Sequence, residues 1–221
     1  MYGMQFPMKL QVLVLSMVIA LLQTGCVLGR RTIEIPIPIA EAPPSVKGEV
    51  HIASVIDNRV FRNKPRAPSI PSVDGDVDSF SADQKALMIG RQRNTYGMAM
   101  GDIALPAEDS VVIRAKLLLG EGLKRRGYRI SSGASSPHSA SISIDEFWAW
   151  FTPGFLSISF ESRIYCTIVL RKSDGSFTVV VKGYGITRGQ VASDANWQLA
   201  YDLAFRDFLS KLDAELDKVG F

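Results

Sequence analysis

Histidine and cysteine are nearly absent, with two of each in 221 residues. That leaves little material for a metal site or for nucleophilic catalysis, and at most one disulfide. No charge of one sign dominates: 25 basic residues face 22 acidic ones, a formal net charge of +3. Nucleic-acid binding gains no support from that balance. No apolar run is long enough to span a bilayer as a helix, which takes about 20 residues. Disorder and a disulfide-stapled mini-protein are excluded by a 47% hydrophobic content and by length. What remains is enough chain for one ordinary domain with a real core.

The longest apolar run, Leu10 to Leu22, follows Lys9 and ends in small residues. It fits the central region of an export signal. Met8, directly before Lys9, is the more typical start, so residues 1–7 read as an upstream extension. Leu22-Gln23-Thr24-Gly25-Cys26 resembles a bacterial lipobox, with Gly25 flanking the cleavage site and Cys26 as the acylated first residue of the mature chain. Thr24 and Gly25 match that pattern; Gln23 stands where an aliphatic residue is usual. Val27, not Asp, follows the cysteine, so the resemblance to Gram-negative lipoproteins implies sorting to the outer membrane. The alternative is an ordinary signal peptide or an uncleaved anchor, with Cys26 incidental. Several acyl chains on Cys26 would hold the mature protein firmly on a membrane.

Residues 1–25 are therefore expected to be a signal peptide and residues 26–47 a lipidated tether. The tether carries Arg30 and Arg31 and then prolines that forbid a central strand. A single α+β domain is expected over 48–221. Its first strand covers Gly48 to Ile56, with Val50, Ile52 and Ser54 on one side. From about 58 to 106 the chain reads as an irregular, proline-rich stretch. Asp74-Gly75-Asp76-Val77-Asp78 has a calcium-loop spacing but lacks the closing Glu, so it reads as a turn.

From Ser110 the spacing predicts a helix with Val112, Ala115, Leu119 and Leu123 on one face, stopped at Gly127. Tyr128–Ile130 leaves it as a strand. Ala140 to Phe151, Phe155 to Arg171 and Phe177 to Thr187 read as a meander, with Ser173-Asp174-Gly175 as a hairpin turn. A last helix, capped by Ser193 or Asp194, places Trp197, Tyr201, Ala204, Phe208 and Leu212 on one face. The expected architecture is α+β: a largely antiparallel sheet of about four to five strands, with two helices packed on one face.

The lipobox, the strand ending in Asp57-x-Arg59, Ile89-Gly90, the helix closing on Leu123-Lys-Arg-Arg-Gly-Tyr128, the meander and the final helix together resemble the YajG-like envelope lipoproteins. The resemblance spans nearly the whole mature chain. It implies a periplasm-facing lipoprotein without established catalytic activity. The proline-rich stretch from Phe61 to Ser81 is expanded relative to that pattern, and the tryptophan-bearing hairpin also departs from it.

The residues themselves point away from an enzyme. Neither His51 nor His138 has a neighbouring ligand at metal spacing, and no nucleophile elbow or phosphate-binding loop occurs. No metal and no cofactor is expected. Cys166 lies in an alternating apolar run and reads as a buried strand residue. Asp145 and Glu146, adjacent in a strand, should point to opposite faces, against joint acid–base work. The most unusual feature is Phe147-Trp148-Ala149-Trp150-Phe151, with Phe155 beyond the turn. Helices on one face can bury either the phenylalanines or the tryptophans, not both. The other set lies under the irregular stretch, against a partner or at a membrane surface, where tryptophan suits the interface. The hairpin tip, with Phe147, Trp148, Trp150, Phe151 and Phe155, is the expected docking patch for another envelope component. Two functions follow: a non-catalytic, outer-membrane-anchored binding or scaffolding module, or an accessory lipoprotein of a transport system that holds a lipid or another apolar ligand.

Overall fold

The computed structural model describes residues 29–221, except 40, 42, 44, 95, 134, 135, 155 and 156. The signal segment, Gly25, Cys26 and Phe155 lie outside the described residues. The elements are β1 (Arg31–Thr32), β2 (Gly48–Asp57), a single 3-10 turn at Val77–Ser79, α1 (Ala82–Leu87), β3 (Met88–Arg93), β4 (Ala99–Ala104), α2 (Val111–Arg125), β5 (Tyr128–Ser131), β6 (His138–Pro153), β7 (Ile158–Lys172), β8 (Gly175–Gly189) and α3 (Asp194–Lys218).

The helices form where caps and apolar spacing agree. The Ser110 hydroxyl accepts from the Ile113 N–H, and Val111, Ala115, Leu118, Leu119 and Leu123 face the core. Gly127 ends that helix at φ 87, a left-handed position suited to glycine. Ser193 caps α3, and Trp197, Tyr201, Ala204, Phe208 and Leu212 are all buried. Among the described residues no helix is long and apolar enough to cross a membrane.

Among the described residues the sheet has eight strands, not four to five, and it is mixed: four of its seven pairings are parallel. Its spine is β6. One edge of β6 pairs along its length with β7, which pairs in turn with the edge strand β8. The other edge is forked. Its first half pairs with β2, which carries β5; its second half pairs with β3, then β4, then β1. Both α2 and α3 lie on one face, as the apolar pattern implies, and their side chains share one core with Ile142, Ile144, Phe147, Ala149 and Phe151.

Three expectations fail, each for a local reason. Within the stretch read as irregular, β3 and β4 are true strands. Met88-Ile-Gly-Arg-Gln-Arg93 is buried throughout, including its two arginines, so no apolar–polar alternation marks it. The tether of 26–47 is packed from Gly29: β1 pairs with β4, and Ile33 and Ile35 enter the core. The domain thus begins about twenty residues earlier than its expected start at residue 48. Finally, β-bulges change which residues face inward. An extra residue at Ala53 puts Val55, not Ser54, on the helix side, and one at Asp145 shifts the inward set from even to odd numbers. Asp145 and Glu146 therefore share the outer face, reaching Thr167 and Arg163 respectively.

Candidate functional site

The aromatic run does not form a surface. Phe147 and Phe151 pack inward against Tyr201 and Trp197, while Trp148 and Trp150 point outward and are buried as well. Their cover is the proline-rich stretch, which folds back over this half of the sheet. Phe61 meets Trp148 edge-on at 5.9 Å, Val73, Val77 and Phe80 complete a second small core, and Trp148 Nε1 donates to Pro68 O at 3.1 Å. A docking patch built on Phe147, Trp148, Trp150 and Phe151 is thereby ruled out.

Two arginines, Arg91 and Arg93, fasten that cover, and a third, Arg59, holds the sheet beneath it. Arg59 sits in the fork of the sheet. Its guanidinium pairs with both oxygens of Asp57 at 2.8 Å. It also donates to the carbonyls of Met88 at 2.6 Å, Phe147 at 3.0 Å and Lys85 at 2.8 Å. Asp57-x-Arg59 is thus a structural clamp where β6 changes partners. Arg91 donates to Val73 O and, at 3.1 Å, to Asp74 Oδ1, and lies 3.5 Å from Asp102. Arg93 donates to Pro65 O at 2.6 Å and to Ser72 Oγ at 3.1 Å. No carboxylate pairs with Arg93 among the described residues. Burial, with the Arg91 charge adding to it, pulls the Arg93 guanidinium below its ordinary pKa. Burial also raises the Asp102 carboxyl, opposed by the Asp74 N–H and the Arg91 charge.

Beside these arginines opens a cleft of about 920 Å³, walled by the 63–66 and 73–76 segments and by the β3–β4 hairpin. Lys64 and Arg66 stand exposed at its rim; Asp74 is held by Arg91 and Asp76 by Asn63. The Asp74–Asp78 run works as a turn, with Asp76 capping the 3-10 turn.

The cover stops short of the other half of the sheet. The outer faces of β7 and β8 carry Tyr165, Val169, Val180, Lys182, Tyr184 and Ile186, and the last four are exposed. Tyr184 donates to Glu161 at 2.7 Å, and Lys182 lies over the Tyr165 ring at 4.4 Å. On the inner side of β8, α3 lies backbone to backbone: a Cβ at Gly185 would overlap Ala200 O, and one at Gly183 would overlap Ala204 O.

The other chemistry-bearing residues are dispersed. Cys166 is a free, buried thiol whose pKa burial pushes far up, the opposite of a nucleophile. His138 packs against Tyr128 and Phe221, and His51 lies against Ser131 O. Among the described residues no three His, Cys, Asp or Glu groups gather where a metal ion could be held. Arg91 and Arg93 carry little signal in the sequence beyond an apolar Met88-Ile89 running into alternating cations.

No protein-family model matches the sequence, and no curated protein matches it. Several solved structures share its outline loosely. A Xanthomonas campestris protein of the DUF330 family is 14% identical, with 86% of this chain and 95% of that one covered at a TM-score of 0.42. An uncharacterised protein is 6% identical, with 86% and 97% covered at 0.43. A hypothetical protein of Chlamydia trachomatis is 10% identical, with 77% and 98% covered at 0.32. Likeness at this level carries no statement about function.

Proposed function

We propose that this chain is a non-catalytic, YajG-like lipoprotein of the Gram-negative envelope. Acyl chains on Cys26 hold it in the outer membrane, and it faces the periplasm as a binding or scaffolding module. Its partner is another envelope protein, engaged through the outer face of β7 and β8. The observation that carries this reading is the half-covered sheet. The proline-rich stretch shields the tryptophans over β6, yet Val180, Tyr184 and Ile186 remain exposed on a 15-residue edge strand. Long exposed edges with apolar side chains invite pairing unless they serve it. Asp207 accepts the Tyr184 N–H at 2.9 Å, which blocks one outward donor and leaves the side-chain face free.

The second reading, an accessory transport lipoprotein holding a lipid or another apolar ligand between sheet and helices, is less favoured. The close approach of α3 to Gly183 and Gly185 leaves no room for a ligand along that contact.

A photocrosslinking residue at Val180 in intact cells tests the face. We expect a discrete protein adduct from Val180 and none from Leu199, which is exposed on α3. Adducts from both positions alike, or from Leu199 alone, would overturn it.

A further inference from the structure

The described chain begins beside the tip of the β3–β4 hairpin. Gly29 N donates to Met100 O at 3.0 Å, and β1 runs parallel to β4, pairing Arg31 with Ile103 and Thr32 with Ala104. Followed backwards from Arg31, the chain therefore heads along β4 toward Ala99 and Met98. Cys26 is three residues before Gly29, and three residues reach at most roughly 11 Å. An anchor on Cys26 is thus held close to this end of the domain.

The same end presents side chains suited to a bilayer surface. Asn94 Oδ1 accepts from the N–H groups of Tyr96 and Met98, both at 2.9 Å, so the tip is tied by its own side chain. Tyr96 is 87% exposed and Met98 60% exposed. Val191, in the β8–α3 connection, is 66% exposed and belongs to the same end, since the Arg31 guanidinium donates to Ala192 O at 2.8 Å. An amphipathic tyrosine and soft apolar side chains fit the headgroup level. Lys64 and Arg66, at the rim of the cleft beside this tip, are exposed and make no ion pair among the described residues. Asp74 pairs with Arg91, and Asp76 keeps its charge while bonded to Asn63, but Lys64, Arg66, Arg91 and Arg93 outnumber these two carboxylates on the cleft wall.

We infer that the hairpin tip and the cleft rim form a membrane-facing surface that docks on anionic phospholipid headgroups. Tyr96 and Met98 enter the headgroup layer, while Lys64 and Arg66 meet the phosphates. The inference rests on the acylation of Cys26 proposed above. It also sets the direction of the domain: the β7–β8 turn at Lys172–Gly175, at the opposite end of the long hairpin, points away from the membrane.

The test uses the full mature, acylated protein in vesicles of phosphatidylcholine, with or without phosphatidylglycerol. Single labels are placed through Tyr96→Cys or Asp174→Cys; Cys166 is buried and stays unlabelled. With a quencher on the lipid headgroups, we expect severalfold stronger quenching at position 96 than at 174, increased further by phosphatidylglycerol. Lys64→Glu together with Arg66→Glu should abolish that increase. Equal quenching at the two positions overturns the orientation. Quenching at 96 that ignores lipid charge overturns the anionic headgroup as partner. Failure of the anchor itself shows separately, as loss of vesicle association and absence of acyl mass on Cys26.

Discussion

Replacing Arg59 with methionine removes the clamp from the fork of the sheet while keeping an apolar stem of similar length. The guanidinium is buried and makes five hydrogen bonds, two to Asp57 and three to the carbonyls of Met88, Phe147 and Lys85. Breaking a buried, hydrogen-bonded ion pair from one side costs about 3–5 kcal/mol. Each carbonyl left without a donor adds roughly 1–3 kcal/mol if no water reaches it. Asp57 is partly exposed and recovers some solvation, which offsets part of the loss. A destabilisation of about 4 kcal/mol follows, a large share of the roughly 5–15 kcal/mol typical of a domain. Urea unfolding of residues 27–221, followed by far-UV circular dichroism, reads it directly. Arg59→Lys retains the charge but not the two-pronged geometry, so it should recover less than half of the loss. A loss under about 1 kcal/mol for Arg59→Met would refute the clamp.

Gly185→Val should be among the most damaging small-to-large changes, because its side chain meets the backbone of α3 rather than a movable side chain. We expect a loss of about 3 kcal/mol or more in the same unfolding assay, since overpacking against fixed backbone is poorly relieved. Cys166, buried and with its pKa raised by burial, should react with a thiol reagent only as fast as the domain unfolds. Prompt modification of the native protein would contradict its placement. The Tyr184 phenol is pushed up to about 12, first by partial desolvation of its hydroxyl, though the ring is exposed, and then by its hydrogen bond to Glu161. A phenol that holds its proton more tightly when folded contributes stability below its ordinary pKa of about 10. That contribution is lost as pH rises through the folded value. Glu161→Gln should lower the titration midpoint, seen by ultraviolet difference absorbance, only part of the way, because the partial desolvation of the hydroxyl persists.

The legible parts of the fold were those in which one residue pattern served one face. α2 and α3 announce themselves by Ser110 and Ser193 caps and apolar spacing, and β6 to β8 by alternation. What escaped notice is covered on both sides. β3 is buried by helices on one face and by the proline-rich stretch on the other, so its cations break the pattern that marks a strand. The parallel pairings of β6 with β2 and β3 join segments distant in sequence, and no local turn announces them. The aromatic run posed the right question, which set of side chains lies bare, and the answer is neither. The cover that hides Trp148 and Trp150 ends before β7 and β8, and there the exposed apolar side chains are modest ones, Val180 and Ile186. Asp57-x-Arg59 was visible as a motif, but its task depends on a fork that only the assembled sheet contains.

The anchor underlies both the proposed function and the orientation of the domain, so the mass of the amino-terminal peptide of the protein isolated from membranes is the decisive measurement. The account predicts a peptide that begins at Cys26, with residues 1–25 removed and acylglyceryl mass on its sulfur. A peptide with an unmodified Cys26 thiol, or an amino terminus elsewhere in the chain, would contradict it.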